Sequence, residues 1–207
     1  MRGRARHSDA MSDVPQFLVV ALALTGSPGP NTLSVAAVGA AFGRRQGLRY
    51  MAGLTLGMLG VIAIVGSGLS ALLLALPGVA PVVTLGAIAY FLWLAWRIAT
   101  APPIGLTKTQ GNPPHWTEGT LLSLVNPKAY AAMAAVFSGF TLVSGAPLGD
   151  ALAKTALLML TILAVNLAWL CAGSLLTRTV RSPRAGRIIN MAFAGALLIA
   201  VAATTLL

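Results

Sequence analysis

Residues 14–43 read VPQFLVVALALTGSPGPNTLSVAAVGAAFG, an uncharged run bounded by Asp13 and Arg44. As one straight helix, residues 14–42 would measure roughly 43 Å at 1.5 Å per residue, against a bilayer hydrocarbon core of roughly 30 Å. The excess length coincides with an interruption, Ser27-Pro28-Gly29-Pro30-Asn31. Proline inside a helix removes a hydrogen bond and clashes with the preceding turn, at a cost of about 3 kcal/mol. In lipid that cost is tolerated only where the freed backbone faces protein or a water-filled cavity. The stretch therefore predicts a membrane helix broken near its middle.

The rest of the chain calls for the same solvent. Of 207 residues, 57% are hydrophobic and only 9% charged, with a mean hydropathy of +0.84. A soluble domain carries about 25% charged residues. This composition excludes a soluble enzyme, a disordered tail and a membrane protein with a large extramembrane domain, and it suffices for about six crossings. The gaps between charges place helices near 14–42, 48–75, 81–99, 119–143, 151–177 and 187–207, with the second and third separated at Leu76-Pro77-Gly78. The apolar runs are continuous rather than alternating, which excludes membrane β-strands.

A second interruption, Asn126-Pro127-Lys128, falls inside the expected fourth helix, and Pro30 and Pro127 lie about 100 residues apart. Three helices precede the linker and three follow it, so the second half inserts upside down relative to the first. The expected fold is an all-α integral membrane protein, six transmembrane helices forming two inverted three-helix repeats with helices 1 and 4 broken. Its parts are an N-terminal extension (1–13), a first repeat (14–99), a linker (100–118) and a second repeat (119–207). Paired interruptions in inverted halves point to a transport site near the midplane.

Charge sets the orientation. The loops after the first, third and fifth helices hold Arg44, Arg45, Arg49, Arg97, Lys108, Arg178, Arg181, Arg184 and Arg187, while the other side holds Lys154 plus Arg2, Arg4 and Arg6. The excess of basic residues marks the cytoplasmic side, so both termini are expected outside the cytoplasm. Met11 is the expected true start, because Ser12-Asp13 lead directly into the first helix. A cleaved signal peptide ending near Ala21-Leu22-Ala23 is disfavoured, since cleavage would discard half of the first span.

The net charge of +10 is read as a set of topology determinants rather than a nucleic-acid footprint. Cys171 is the only cysteine, and His7 and His115 have no Cys or carboxylate cluster near them, so neither a disulfide, a metal site nor a cofactor is expected.

The candidate site follows from the two interruptions. Asn126 suits an N-cap with Pro127 at the first helical position, and Asn31 is expected to cap the second half of helix one similarly. Two half-helix N-termini would aim partial positive charge and free N–H groups into one cavity, which suits a carboxylate. Lys128 adds a full charge at a cost of roughly 2.5–3.5 kcal/mol at the membrane centre. The expected substrate-binding residues are Pro28, Gly29, Pro30, Asn31, Asn126, Pro127, Lys128 and Asn166. Asn166, in the middle of helix five, is either an interhelical hydrogen bond or a cavity group. Gly39, Gly43, Gly47, Gly53 and Gly57 read as close helix packing, and Trp93 and Trp96 as an interfacial aromatic belt.

Ser27-Pro28-Gly29-Pro30-Asn31-Thr32, followed by Gly43-Arg44-Arg45-Gln46-Gly47, Gly53 and Gly57, resembles the N-terminal signature of the LysE/RhtB family of amino-acid exporters. Gly119-Thr120-Leu121-Leu122 and Asn126-Pro127-Lys128-Ala129 resemble its second signature, in the same order and at a similar distance. The resemblance runs from about Met11 to Leu207. It implies a six-helix, multi-pass protein of the bacterial inner membrane that exports amino acids or related metabolites, driven by the membrane potential or a proton gradient. The motif positions it marks are Pro28, Gly29, Pro30, Asn31, Asn126, Pro127 and Lys128. The expected function is thus secondary export of an amino-acid-type substrate. Alternatives are a metal-cation exporter, disfavoured because no Asp or Glu lies in an expected span, and a passive small-solute channel. The lipid bilayer is the expected partner, nucleic acid is not, and a homo-oligomer is left open.

Overall fold

The structure is a computed structural model that describes residues 3–70, 78–100, 113–179 and 182–205. The described residues form seven helices: α1 (Gly3–Gly26), α2 (Pro30–Gly66), α3 (Val79–Ala99), α4 (Trp116–Leu124), α5 (Pro127–Gly139), α6 (Pro147–Thr179) and α7 (Pro183–Thr205). The expected separation at Leu76-Pro77, most of the linker with Lys108, and Arg181 lie outside the described residues.

Both breaks are present. The first helix stops at Gly26 and a new one starts at Pro30, and α4 and α5 meet at a 60° bend around residues 125–126. α1 begins at Gly3 rather than near residue 14 and carries Pro15 inside it.

The passage from the first expected span to the second is tighter than the charge pattern implies. A charged loop near residues 43–47 is expected, yet helical structure resumes at once. The whole turn is made at Gly43, whose φ of 79° and ψ of 174° are open to glycine at little cost. α2 is therefore two arms, residues 30–42 and 44–66. In a straight helix residues 39 and 47 would be about 12 Å apart, but here a Cβ added to Gly47 would lie 3.5 Å from the Cα of Gly39, so the arms fold back on one another. The second arm stops at Gly66, short of residue 75, because Gly68 takes a φ of 73° and its N–H bonds the carbonyl of Val65.

By length and composition three helical stretches among the described residues suffice to cross a membrane, Pro30–Gly66, Pro147–Leu175 and Arg184–Ala202, the first of them folded at Gly43 into two arms. The bent pair α4–α5 qualifies when taken together, and Val14–Gly26 and Thr84–Ala99 are shorter apolar helices. Leucines and isoleucines such as Leu148, Leu160, Ile188 and Ile199 point outward and are largely exposed, as lipid-facing side chains must be.

Glycines set how closely the elements approach. Gly53 and Gly57 let the second arm of α2 lie against the backbone of α4. A Cβ at Gly53 would sit 1.8 Å from the Trp116 carbonyl oxygen, and one at Gly57 would sit 2.5 Å from that of Thr120. Gly173 of α6 admits the Ala36 carbonyl in the same way, at 2.0 Å. Of the five glycines expected to pack, Gly43 is the exception. Nothing lies within 4 Å of a Cβ placed there, and its role is the turn. The most extensive packing of α2 is with α6 and α4, and α3 packs on α7. The two sequence halves are therefore interdigitated rather than side by side.

The core forms two apolar clusters. One holds Val35, Tyr50, Leu54, Phe91, Leu94, Leu122, Leu170 and Leu197, the other Phe17, Met58, Val61, Met133, Leu158 and Ile162. Each central element crosses from one cluster to the other, α1–α2 between Ala21 and Val35, α4–α5 between Leu122 and Ala129, and α6 between Ile162 and Leu170. Both breaks, and Asn166, fall at these crossings.

Two charged pairs lie where the expectation had loop charges or none. Lys154, expected inside the helix at 151–177 and counted there as a topology charge, sits in α6 and is buried. It is satisfied by Asp150 four residues earlier (2.7 Å) and by the Phe137 carbonyl at the end of α5 (3.0 Å). Asp150 also accepts from the N–H groups of Leu142 and Val143, pinning the α5–α6 connection. Glu118, inside α4, pairs with Arg97 of α3, while the Tyr90 hydroxyl donates to the Glu118 carbonyl (2.7 Å). The two acidic side chains thus stand within helices. Trp93 and Trp96 are exposed, the former stacked under the Arg97 guanidinium at 5.0 Å.

Candidate functional site

At the second break, Asn126 is the N-cap of α5. Its Oδ1 accepts the Lys128 backbone N–H (3.1 Å), and Pro127 occupies the first helical position. At the first break the N-cap is Gly29 rather than Asn31, because Pro30 takes the first helical position and moves Asn31 inside the helix. Gly29 has no side chain to offer the first turn, and its own N–H donates to Thr32 Oγ1 (2.9 Å). The amide end of α2 therefore has no side-chain cap.

Freed from capping, Asn31 reaches across to the other half. Its Oδ1 accepts from Asn126 Nδ2 (2.9 Å), and its Nδ2 donates to Ser123 Oγ (2.9 Å), which in turn donates to the Leu54 carbonyl (2.9 Å). This chain of amides and a hydroxyl ties the two breaks together at one level. Ser123 went unrecognised in the sequence, although a serine inside Leu121-Leu122-Ser123-Leu124 is a polar group in an apolar helix, which is the available signal.

The carbonyl end of α1 is served largely from the second half, with Ser27 Oγ on the Leu24 carbonyl (3.0 Å) and Thr32 Oγ1 on the Ser27 carbonyl (3.4 Å) as local additions. Trp169 Nε1 donates to the Gly26 carbonyl (3.2 Å). Lys128 Nζ donates to the Ser27 carbonyl (2.9 Å), Ser27 Oγ (2.7 Å) and the Pro28 carbonyl (2.9 Å). An ammonium has three donors, and all three are used. The lysine lies over Gly29 so closely that a Cβ there would be 2.8 Å from Nζ. Ser27, part of the quoted motif, is a second residue whose contribution sequence reasoning missed.

Between the breaks lies a cavity of about 40 Å3, lined by Ser27, Gly29, Asn31, Asn126, Lys128 and Asn166, with Met58, Met133 and Ile162 among its apolar walls. At 10–15 Å3 per water, it holds about three waters. Asn166 is 2% exposed, and its Nδ2 has no hydrogen-bond partner among the described residues. Leaving such a donor unmade costs about 1–3 kcal/mol, so this amide is a cavity group rather than an interhelical link. Of the expected site residues, Gly29, Pro30, Asn31, Asn126, Lys128 and Asn166 line the cavity. Pro28 contributes its carbonyl to Lys128, and Pro127 shapes the start of α5. Among the described residues no group of three or more His, Cys, Asp or Glu side chains is placed to hold a metal ion.

Chemically, this is a small, largely apolar chamber whose few polar groups are an α2 N-terminus without a side-chain cap, an ammonium gathered onto carbonyls and an unpartnered amide donor. Comparison with known proteins agrees with the motifs. The family model for the LysE type translocator matches residues 22–207. The cysteine/O-acetylserine efflux protein of Salmonella paratyphi A is 31% identical over 168 residues, covering 81% of this chain and 85% of that protein. The protein of the same name from Escherichia coli K12 is 30% identical over 182 residues, covering 86% and 90%. No solved structure matches the chain. A match of this extent, on a fold whose breaks carry both signature motifs, establishes that the chain belongs to the LysE type translocator family.

Proposed function

We propose that this chain is a secondary transporter that exports an amino acid or a closely related metabolite across the bacterial inner membrane, and that the substrate carboxylate is held in the cavity between the breaks. The observation that carries the reading is the juxtaposition of an uncapped helix N-terminus, Lys128 and the unpartnered Asn166 amide in one chamber between two apolar clusters. A carboxylate there accepts from the first-turn amides of α2, in the field of the helix dipole, and from Asn166, with Lys128 supplying the full charge. The efflux of cysteine and O-acetylserine named for the relatives makes those two compounds the first substrates to try.

In this reading the chain crosses the bilayer six times as two inverted repeats, with α1 and the first arm of α2 forming one broken span and α4–α5 its counterpart. Both termini lie outside the cytoplasm. A reporter fused to the C-terminus should read as external, and a cytoplasmic readout would overturn the topology. The chamber has room only for a few waters, so binding requires it to expand. α2 packs most extensively across the halves, so rocking one intact repeat against the other would tear the largest interface. Movement of the helix halves about their breaks leaves it in place.

The test is export from loaded vesicles containing the purified chain, across a panel headed by cysteine and O-acetylserine, with divalent metals and glycerol as controls. Export of amino acids with no flux of metal or glycerol is the expected result. Flux of metal or glycerol instead would replace this reading with that of a cation exporter or a passive channel.

A further inference from the structure

The three oxygens around Lys128 Nζ have the geometry of a binding site. Ser27 O, Ser27 Oγ and Pro28 O lie 2.7–2.9 Å from one ammonium, with one acceptor per proton. Two are carbonyls beyond the last turn of α1, the negative end of its dipole, and the third is a hydroxyl oriented by its own bond to the Leu24 carbonyl (3.0 Å). Beside this cage, past Gly29, is the uncapped positive end of α2. A helix broken over three residues thus sets an ammonium-binding group next to a carboxylate-binding group, and this pair matches the two charges on an α-amino acid. In the structure the cation side is already filled by Lys128, while the buried Asn166 amide in the same chamber is left without a partner.

We propose that the Ser27–Pro28 cage is the subsite for the substrate's α-ammonium, and that Lys128 is a tethered occupant of it. The incoming ammonium displaces the lysine from the three oxygens, and the released lysine then pairs with the substrate's carboxylate. The exchange is one ammonium for another, so the three oxygens keep a cationic partner throughout. Zwitterions gain from both halves of the exchange. An amine with no carboxylate must displace the lysine with nothing to hold it afterwards, and a carboxylate whose nitrogen is acylated cannot displace it at all. This rests on the carboxylate reading above and adds to it a cation subsite and a selection rule for zwitterions.

The test uses the full chain in lipid nanodiscs, with binding measured for three probes kept reduced: L-cysteine, cysteamine (no carboxylate) and N-acetyl-L-cysteine (no ammonium). Wild type should bind cysteine best. In Lys128→Ala, and less strongly in Lys128→Met, whose side chain still occupies space, the cage is vacant, so cysteamine should bind about tenfold or more tighter than to wild type, the scale of one hydrogen bond to a charged group. Ser27→Ala in the Lys128→Ala background should reverse that gain and leave N-acetylcysteine unaffected. A fluorescence melting curve for each variant confirms that it is folded. Cysteamine binding that is unchanged or weaker in folded Lys128→Ala would overturn the tethered-occupant proposal. Failure of the carboxylate reading would show differently, as wild type binding cysteine no more tightly than cysteamine.

Discussion

The two breaks look alike in sequence, each a proline behind small or polar residues inside an apolar run, and in the structure they behave as opposites. The break at residues 125–126 closes on itself. Asn126 caps α5 through its own side chain, and the chain proceeds with its first-turn amide satisfied. The break at residues 27–29 stays open. Its N-cap is a glycine without a side-chain cap, and the Gly26, Ser27 and Pro28 carbonyls accept from Trp169 and Lys128 of the other half. A helix interruption becomes a binding site when its freed groups are left to be satisfied from elsewhere. In the proposed reading the second break is the platform that delivers Lys128, and the first offers the groups that meet the ligand.

If this asymmetry is right, bulk at the first break should do the most damage. Gly29→Val would drive a side chain into the space of Lys128 Nζ and displace at least two charge-assisted hydrogen bonds of about 1.5–3 kcal/mol each. Export of cysteine should fall about a hundredfold or more, while Val125→Ile at the second break should stay near wild type. Equal losses in both variants, in the same vesicle assay, would erase the distinction.

Asn166→Leu tests whether the cavity amide serves a ligand. Removing an unpartnered buried amide should leave the melting temperature unchanged or raise it. Substrate affinity, read by titration, should weaken about tenfold through loss of one hydrogen bond. A large drop in melting temperature with unaltered affinity would make Asn166 a structural residue instead.

The smallest effect is expected at the self-satisfied cap. Asn126→Ala should cost about 1 kcal/mol of stability, typical of a lost N-cap, and slow export in proportion as the bridge to Asn31 goes. Asn126→Asp, which can still cap but loses the Nδ2 donor to Asn31, should recover only part of the stability in a denaturation comparison. Export loss in Asn126→Asp as deep as in Gly29→Val would mean the second break binds substrate too.

What the sequence made legible follows from local physics. Apolar run length set the helices, proline set the breaks, and glycine spacing marked Gly53 and Gly57 at the α2–α4 contact, because each depends on nearby residues alone. The choice of partner was not legible. Pro30 and Gly29 compete with Asn31 for the start of α2, and only the first-turn geometry shows that the proline wins and sends Asn31 across to Asn126 and Ser123. The burial of Lys154 was not legible because its satisfying groups, Asp150 and the Phe137 carbonyl, converge only after α5 and α6 pack. Gly43 looked like its neighbouring packing glycines, since spacing says nothing of φ. Ser27 lay in plain view in the motif, but its use depends on a lysine about 100 positions away.

The most direct test of the central claim, that Lys128 arriving from the second half completes a substrate site on the first, is cysteine export by Lys128→Met in proteoliposomes, with Lys128→Arg alongside. Lys128→Met leaves the Ser27 and Pro28 oxygens without their ammonium, so it should insert and fold with a lowered melting temperature yet export little or nothing. Lys128→Arg should be rescued only in part, because a planar guanidinium cannot reproduce the three-way ammonium contact. Wild-type export rates from well-inserted Lys128→Met would contradict the account and reduce the lysine to a cap on the carbonyl end of α1.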